Sequence, residues 1–308
     1  MPGSRKNALV TGGTDGVGKE VARGLALAGH QLILVGRDAD KGARVEREMR
    51  ETTGNTHVQF LQADLSLVRE AIRLGDEIAS RWPTLHYLVH SAGVVRGRRE
   101  LTVEGVESNF AINYLSRFVL TGRLLPLLQA TGQPGEAARI VLVSGAAQNG
   151  AIHFDDVNLT ANFTTLRAVW QFCQANDVFT VELARRLVVD APHVTITSLK
   201  LGVVKTNIRR EFPRWMQWLV PLVFDPLLAQ TPQQAAESAL WLLLAQDLEG
   251  VTGALFSKIR KLKQVVPTAR ARDPQEARRL WELSERLAAK GLALAAEAAL
   301  VGPTPSEE

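Results

Sequence analysis

Thr11-Gly12-Gly13-Thr14-Asp15-Gly16-Val17-Gly18 is the stretch that decides the fold of this 308-residue chain. It lies between an apolar run at residues 7–11 and a helical pattern at residues 19–28. Glycines between a strand and a helix permit a tight turn and allow the backbone to approach a pyrophosphate, which the helix N-terminus attracts. This order of elements predicts a dinucleotide-binding turn at the start of the chain.

Short apolar runs alternate with helical patterns through the first two thirds of the chain. After residues 7–11, we predict strands at residues 31–35, 58–62, 85–89, 140–143, 194–199 and 251–256. Amphipathic helices are predicted between them, notably over residues 38–52, 66–81, 104–129 and 167–188. Such alternation predicts βαβ units and hence a parallel sheet covered on both faces. We therefore expect an α/β fold: a single doubly wound Rossmann-type domain with a parallel sheet of six or seven strands.

The predicted domain spans residues 1–287. An insertion-like segment at about residues 209–228 precedes a helix at residues 232–245. Asp273-Pro274 favours the start of a final helix, because Asp is a good N-cap and Pro suits the first helical position. Residues 288–308 are predicted to form a helical extension and a flexible tail.

Composition and charge narrow the classes of function. The chain is 46% hydrophobic and 22% charged, with a formal net charge of +4. This basic balance suits an anionic cofactor or a membrane surface, but no motif predicts nucleic-acid binding. The single cysteine, Cys173, excludes an internal disulfide, and the six histidines show no metal-ligand spacing, so no metal site is expected. Without a signal-peptide pattern or an apolar run of spanning length, we expect a cytoplasmic protein.

The spacing Gly-x-x-x-Gly-x-Gly is similar to that of the short-chain dehydrogenase/reductase family. The chain resembles this family over roughly residues 5–287. The retinol-dehydrogenase-like branch is the most similar, through Ile152-His153-Phe154-Asp155-Asp156, Phe179-Thr180-Val181-Glu182-Leu183-Ala184-Arg185-Arg186-Leu187, Gly250-Val251-Thr252-Gly253 and Ala277-Arg278-Arg279-Leu280-Trp281-Glu282. NAD-preferring relatives place an acid where Gly36-Arg37-Asp38 ends the second strand. Arg37 instead suits a 2′-phosphate, so the resemblance implies NADP(H).

The resemblance also implies which residues contact the cofactor. They are Gly12, Thr14, Gly16, Val17, Gly18, Arg37, Asp64, Leu65, Ala92, Gly93, Gly202, Val204 and Thr206. Two positions at the nicotinamide end depart from the family pattern: Ser91 stands where Asn is usual, and Leu201 where Pro is usual. The adenine end therefore resembles the family more closely than the nicotinamide end does.

The chain departs further from the family pattern at the positions of the catalytic residues. In relatives a Tyr hydroxyl exchanges a proton with the substrate oxygen, a Lys four residues later lowers the pKa of that Tyr, and a Ser binds the substrate oxygen. The resemblance places these positions at Val169, Cys173 and Gly145, and only Asn113 keeps its family identity. There is no Tyr and no Lys between Gly145 and Leu187. We therefore predict that the usual catalytic centre is missing.

Three residues are candidate catalytic groups in its place. Asn113 matches the family residue that braces the backbone and supports a bound water. Ser144 stands next to the missing serine's position and could take its role. His153, with Asp155 and Asp156 close by, could act as an acid or base near the substrate pocket.

Cys173 is either a nucleophile or a small apolar filler. The second role is favoured, because the sequence shows no basic partner for this cysteine. His90 and Ser91 could polarise a substrate.

Residues 212–224 contain two tryptophans, a methionine and several aliphatics, which suits a lipophilic ligand. The same segment could instead pack the domain, form an oligomer contact or associate weakly with a membrane beside Arg209, Arg210 and Arg214. The resemblance also implies a homo-oligomer through residues 104–129 and 167–188.

The leading hypothesis is an atypical enzyme that acts on a lipophilic small molecule without a Tyr acid, by cyclisation, isomerisation, dehydration or alkene reduction. A non-catalytic nucleotide- or ligand-binding protein is the second hypothesis. The third is an NADP-dependent alcohol or ketone oxidoreductase with replacement residues.

Overall fold

The computed structural model describes residues 5–146, 150–204, 229–259 and 261–301. Eight strands form one sheet in the order β3-β2-β1-β4-β5-β6-β7-β8. Strands β1 to β7 run parallel, and β8 pairs antiparallel with β7. The strands are β1 (Asn7–Thr11), β2 (Gln31–Gly36), β3 (Val58–Gln62), β4 (Tyr87–His90), β5 (Ala138–Gly145), β6 (Val194–Leu201), β7 (Leu255–Lys258) and β8 (Leu262–Val265).

Helices cover both faces of the sheet. They are α1 (Gly16–Leu27), α2 (Ala39–Thr53), α3 (Val68–Arg81), α4 (Ser108–Phe110), α5 (Ser116–Thr131), α6 (Thr165–Asp190), α7 (Pro232–Leu244), α8 (Ala269–Arg272) and α9 (Pro274–Val301). Helices α1, α2 and α7 bury their apolar sides against one face. Helices α3, α5, α6 and α9 pack against the other. Strands covered on both faces are apolar throughout, as β1, all of whose residues are buried, shows.

The chain reverses its winding between β1 and β4, which are neighbours in the sheet. Helix α1 leaves the carboxyl end of β1 toward one face, whereas the segment after β4 leads to α4 and α5 on the other. In doubly wound sheets this divergence opens a crevice at the carboxyl ends of the strands, where ligands bind. The topology therefore places the ligand site beside the glycine loop.

A π-helical turn at Ala111–Leu115 joins α4 to α5. Such turns are rare and often occur at functional sites, because the extra residue redirects the side chains within the turn. Here the turn contains Asn113, one of the predicted catalytic residues.

The predicted fold class is confirmed: the domain is a single α/β unit with a mainly parallel sheet. The predicted last strand at residues 251–256 is shifted to β7, because Gly250 and Gly253 adopt positive φ values of 73° and 71° that suit turns. The prediction missed β8, an edge strand whose middle residues are exposed and which lacks an apolar run.

Helix α9 begins at Pro274 as predicted, where Asp273 Oδ1 accepts a hydrogen bond from Gln275 N at 2.9 Å. It continues through residue 287, the predicted domain boundary, to Val301. The insertion-like segment at residues 209–228 and the tail from residue 302 lie outside the described residues. Within the described ranges, no helix combines the length and the apolar character needed to cross a bilayer.

Candidate functional site

A cavity of about 870 Å³ lies at the carboxyl ends of the central parallel strands. Eleven of the thirteen predicted cofactor-contacting residues line it: Gly12, Thr14, Gly16, Val17, Arg37, Asp64, Leu65, Ala92, Gly93, Gly202 and Val204. Gly18 lies behind the wall of the cavity, and Thr206 lies outside the described residues. The structure thus brings residues from five separate loops together around one space.

The glycine loop forms one end of the cavity. Gly12 and Gly16 have positive φ values of 68° and 51°, which residues with a side chain rarely adopt. A Cβ on Gly12 would lie 2.8 Å from the Cα of Ala92, and a Cβ on Gly18 would lie 2.4 Å from the oxygen of Gly12. Glycine is therefore required at these positions for both conformation and packing. The loop offers backbone rather than side chains to a ligand, as a pyrophosphate site requires.

Charged side chains of both signs cluster where β2 ends. Arg37 is exposed and lines the cavity together with Lys41, which lies in the first turn of α2. Asp38 caps that helix by accepting a hydrogen bond from Lys41 N at 2.9 Å. Lys41 Nζ in turn pairs with Asp15 at 2.5 Å, which partly neutralises the carboxylate beside the glycine loop. Arg37 forms no ion pair with the described residues, so its guanidinium is available to an anionic ligand.

Asp64 follows β3 and is held in a turn. Its Oδ1 accepts a hydrogen bond from Ser66 N at 3.0 Å, which fixes the carboxylate at the edge of the cavity. The preceding residue, Ala63, continues the β3 ladder by donating to the oxygen of Gly36 at 3.0 Å. Asp64 is therefore oriented by backbone geometry before any ligand binds.

Several apolar side chains line the opposite end of the cavity, where the sequence predicts the positions of the family's catalytic residues. Gly145, Val169 and Phe172 line this end beside Ser144. Cys173 lies behind them and is fully buried, with its Sγ 4.0 Å from Ser144 Oγ. Burial raises the pKa of the Cys173 thiol to about 11. A thiol that stays protonated at neutral pH is a poor nucleophile, so this geometry favours the role of an apolar filler.

Neither tyrosine of the chain lines the cavity. The buried hydroxyl of Tyr114 is hydrogen-bonded to Ser284 Oγ at 2.8 Å. Tyr87 is the first residue of β4, at the end of the strand away from the cavity. Lys41 is the only lysine among the described cavity-lining residues, and it lies at the end near the glycine loop. The described wall therefore offers no phenol and, at the apolar end, no ammonium.

Asn113 lines the cavity and braces the loop after β4. Its Nδ2 donates to the oxygens of Val94 at 2.7 Å and Asn109 at 2.8 Å, and its Oδ1 accepts from Val94 N at 3.2 Å. Its main-chain oxygen accepts from Asn176 Nδ2 at 2.9 Å. All of these bonds are internal, so the amide serves to hold the loop and the π-helical turn together.

His153 and His90 do not line the cavity. The His153 ring lies 3.3 Å from Arg167 Nη2, and burial together with that guanidinium lowers its pKa. His90 is buried, its Nε2 lies 2.9 Å from Thr121 Oγ1, and burial holds its pKa well below the ordinary range. Of the three predicted catalytic residues, Asn113 and Ser144 line the cavity and His153 does not.

Sequence reasoning missed Arg117, which lies on α5 and lines the cavity with only 3% of its surface exposed. Its Nη2 donates to the oxygen of Ala92 at 3.1 Å, and its Nη1 donates to Asn176 Oδ1 at 3.3 Å. Burial lowers the pKa of Arg117 to about 10. Its position four residues after Asn113, on the same helical face, was the available signal.

Lys200 and Asp177 form a buried ion pair that was also missed. Lys200 projects from β6 and Asp177 from α6, in the same layer as Cys173. Burial raises the pKa of Asp177 to about 6, although Lys200 opposes the shift. The signal was a lysine within a strand that is otherwise apolar or small, since charged residues are seldom fully buried without a partner.

Three comparisons with known proteins bear on this site. The family model described as short chain dehydrogenase matches residues 6–217. Human retinol dehydrogenase 11 is 35% identical over 287 residues, which cover 92% of this chain and 85% of the relative. Human polyprenol dehydrogenase is 32% identical over 278 residues, which cover 90% of this chain and 83% of the relative.

Solved structures show the same fold. An uncharacterised protein of Mycobacterium paratuberculosis has a TM-score of 0.72 and 26% identity, with 92% of this chain and 93% of that one covered. The NADP complex of Pseudomonas aeruginosa RhlG has a TM-score of 0.66 and 24% identity, with coverages of 82% and 94%. At that identity the second likeness concerns the fold alone.

Proposed function

The chain belongs to the short-chain dehydrogenase family, and on that premise we propose that it binds NADP(H) and acts on a lipophilic small molecule without the family's Tyr–Lys centre. One observation carries the proposal: an intact glycine cradle and an apolar wall at Val169 face the same cavity. The first is suited to a dinucleotide, and the second lacks the usual proton donor.

The residues at the glycine-loop end fit this cofactor. The loop Gly12–Gly18 would hold the pyrophosphate through backbone N–H groups, because any Cβ at its tightest points would collide with backbone. Arg37 would bind the 2′-phosphate, and Asp64 and Leu65 would contact the adenine. When bound, the cofactor supplies or accepts hydride at its nicotinamide ring. Ala92, Gly93, Gly202 and Val204 would border that ring.

The far end of the cavity fits a lipophilic substrate. Its wall includes Val95, Ile112, Val143, Val169 and Phe172. Apolar walls with a few polar groups are the usual composition of small-molecule sites. The relatives carry the names of polyprenol and retinol, which are lipophilic alcohols. We propose the same broad class of ligand for this chain.

The side chains at the apolar end of the cavity limit the classes of reaction that the protein could catalyse. Val169 carries no group that could give a proton to a ketone oxygen, and loss of a general acid costs about 10²–10⁴ in rate. We therefore favour cyclisation, isomerisation, dehydration or reduction of an activated alkene over ordinary alcohol–ketone exchange. Asn113 holds the loop beside the reacting region, and Ser144 is a hydroxyl-bearing residue that lines the same cavity.

Cofactor binding is tested by titration with NADPH and NADH, followed by fluorescence. We expect NADPH to bind more tightly, and R37A to weaken NADPH binding by about tenfold, equivalent to ~1.4 kcal/mol, while NADH binding changes little. R44A is the matched control, because Arg44 is exposed on α2 outside the cavity wall. If NADPH binds no better than NADH, or R44A acts as R37A does, the 2′-phosphate assignment is wrong.

Turnover is tested separately by incubating the protein and NADPH with retinoids and polyprenyl compounds and following product mass. A product that separates from the substrate on a column at unchanged mass, that has lost water, or that has gained two hydrogens while keeping its carbonyl group supports the proposal. Bound NADPH without any product supports the non-catalytic alternative. Rapid reduction of simple ketones supports the third hypothesis, an oxidoreductase with replacement residues.

Assembly and location are part of the same proposal. Exposed apolar side chains on α6, including Leu166 and Trp170, are available for a contact between copies of the chain. We propose a homo-oligomer, which sedimentation would detect as a mass above that of one chain. Cytoplasmic location and a weak membrane contact through residues 209–228 stay predictions, which cell fractionation of the full chain would check.

A further inference from the structure

Arg117 is a buried cation in the wall of the cavity, and no carboxylate of the described residues pairs with it. Only 3% of its surface is exposed. Burying a charge without an opposite charge is costly, so buried arginines normally face a carboxylate or another anion. The uncompensated guanidinium therefore indicates that an anionic group completes its surroundings.

The hydrogen bonds of Arg117 leave donors unused. A guanidinium has five N–H donors. Nη1 donates to the amide oxygen of Asn176 and Nη2 donates to the main-chain oxygen of Ala92, both of which are neutral acceptors. Nε is buried and has no acceptor in the described part of the chain. These two bonds fix the plane of the guanidinium, leave its charge without an opposite charge and leave part of its donor capacity unused.

Arg117 borders the cavity beside the loop after β4. Gly93 has no side chain, and a Cβ there would lie 2.7 Å from Asn113 Oδ1 and 4.0 Å from Arg117 Nη2. Any larger residue at this position would displace Asn113 and fill the space beside the guanidinium. Ile112, Val169 and Phe172 line the cavity as well. A cation is thus set among apolar side chains.

We propose that Arg117 is the subsite for the carboxylate of an amphipathic substrate, whose hydrocarbon part lies against the apolar wall. A guanidinium matches a carboxylate in shape and charge, and charge-assisted bonds away from water are strong. The pyrophosphate of the cofactor is expected at the glycine loop, so it does not supply this anion. The inference rests on the proposed function, since it assigns a substrate class to the same cavity.

The test compares octanoate with octanamide, which has the same chain length and no charge, by titration of the full-length protein. We expect the wild type to bind octanoate at least about tenfold more tightly, equivalent to ~1.4 kcal/mol. R117M should abolish this preference and R117K should retain part of it. R123M is the matched control on α5, because Arg123 is exposed and paired with Asp76. Equal binding of the two ligands by the wild type overturns the proposal, whether or not the variants fold.

NADPH titration of the same samples separates this inference from the proposed function. If R117M binds NADPH normally and loses only the octanoate preference, the carboxylate subsite stands. If R117M weakens NADPH as strongly as it weakens octanoate, Arg117 holds the cofactor instead and the inference is wrong. If the wild type binds octanoate selectively but does not bind NADPH, the cofactor proposal fails and the Arg117 subsite survives.

Discussion

The Lys200 ammonium on β6 is paired with the Asp177 carboxylate on α6 beneath the apolar end of the cavity. The two side chains are 7% and 1% exposed. Lys200 stands opposite Ser144 across the β5–β6 ladder, and its charge acts on Cys173 one helical turn before Asp177. The pair thus places two opposite charges next to the buried Cys173.

Breaking this pair should be strongly destabilising. K200M leaves the Asp177 carboxylate buried without an opposite charge, and we expect the free energy of unfolding to fall by about 3–5 kcal/mol. R123M, which breaks the exposed pair with Asp76, should cost less than about 1 kcal/mol. Urea unfolding measures both values. The double variant K200M/D177L should recover most of the loss, and a K200M cost no larger than that of R123M would contradict the prediction.

The same carboxyl group should make stability depend on pH. Burial raises the pKa of Asp177 to about 6 from an ordinary value of 3.8, so the folded chain holds this proton more tightly than the unfolded chain does. Stability must then increase as pH falls from above the folded pKa toward the unfolded one. Relative to D177N, the wild type should gain about 1.4 kcal/mol between pH 7.5 and pH 5. If the difference in unfolding free energy between the wild type and D177N stays constant over this pH interval, the pKa of Asp177 is not raised.

Cys173 should be unreactive in the folded protein. Its side chain is fully buried, and burial raises the pKa of the thiol to about 11, so little thiolate exists at pH 8. We expect reaction with a disulfide reagent to be slower than for an exposed cysteine by about 10²-fold or more. In denaturant the chain should show one reactive thiol, its only cysteine. Fast labelling of the native protein would show that the Cys173 thiol is reactive, and a role as nucleophile would then be favoured.

The fold could be predicted from sequence because each of its main features has a local cause. Apolar runs buried on both faces produced the parallel strands, and the glycines at positions 12, 16 and 18 were required by backbone conformation and close packing. β8 has no such cause, because a short edge strand with exposed residues is held mainly by its ladder to β7.

The site was less predictable, because its chemistry depends on contacts between distant residues. Arg117 faces the cavity because Asn176 and Ala92 hold its guanidinium, and they lie 59 and 25 residues away in sequence. The sequence-based prediction placed His153 near the substrate because of its position along the chain. Its ring lies beside Arg167, its main-chain N–H donates to Gln171, and it is not among the residues that line the cavity.

Introducing the family's catalytic groups at their predicted positions tests whether their predicted loss determines the chemistry. The variant G145S/V169Y/C173K adds a hydroxyl, a phenol and an ammonium at these positions. A new ammonium at position 173 would lie one helical turn from Asp177, whose Oδ1 lacks a hydrogen-bond partner in the described structure. The Cβ added at Gly145 would be 3.1 Å from the present Cys173 Sγ, so these two positions must change together.

We expect the rebuilt variant to reduce a simple ketone with NADPH at least about 10² times faster than the wild type, because it regains a general acid. The matched control is G145A/V169F/C173M, which adds similar bulk without the polar groups and should show no gain. Thermal unfolding of all three proteins checks that the comparison is between folded chains. If the wild type already reduces the ketone as fast as the rebuilt variant, then other residues supply the proton. The predicted loss of a catalytic tyrosine at position 169 would then have no bearing on the reaction.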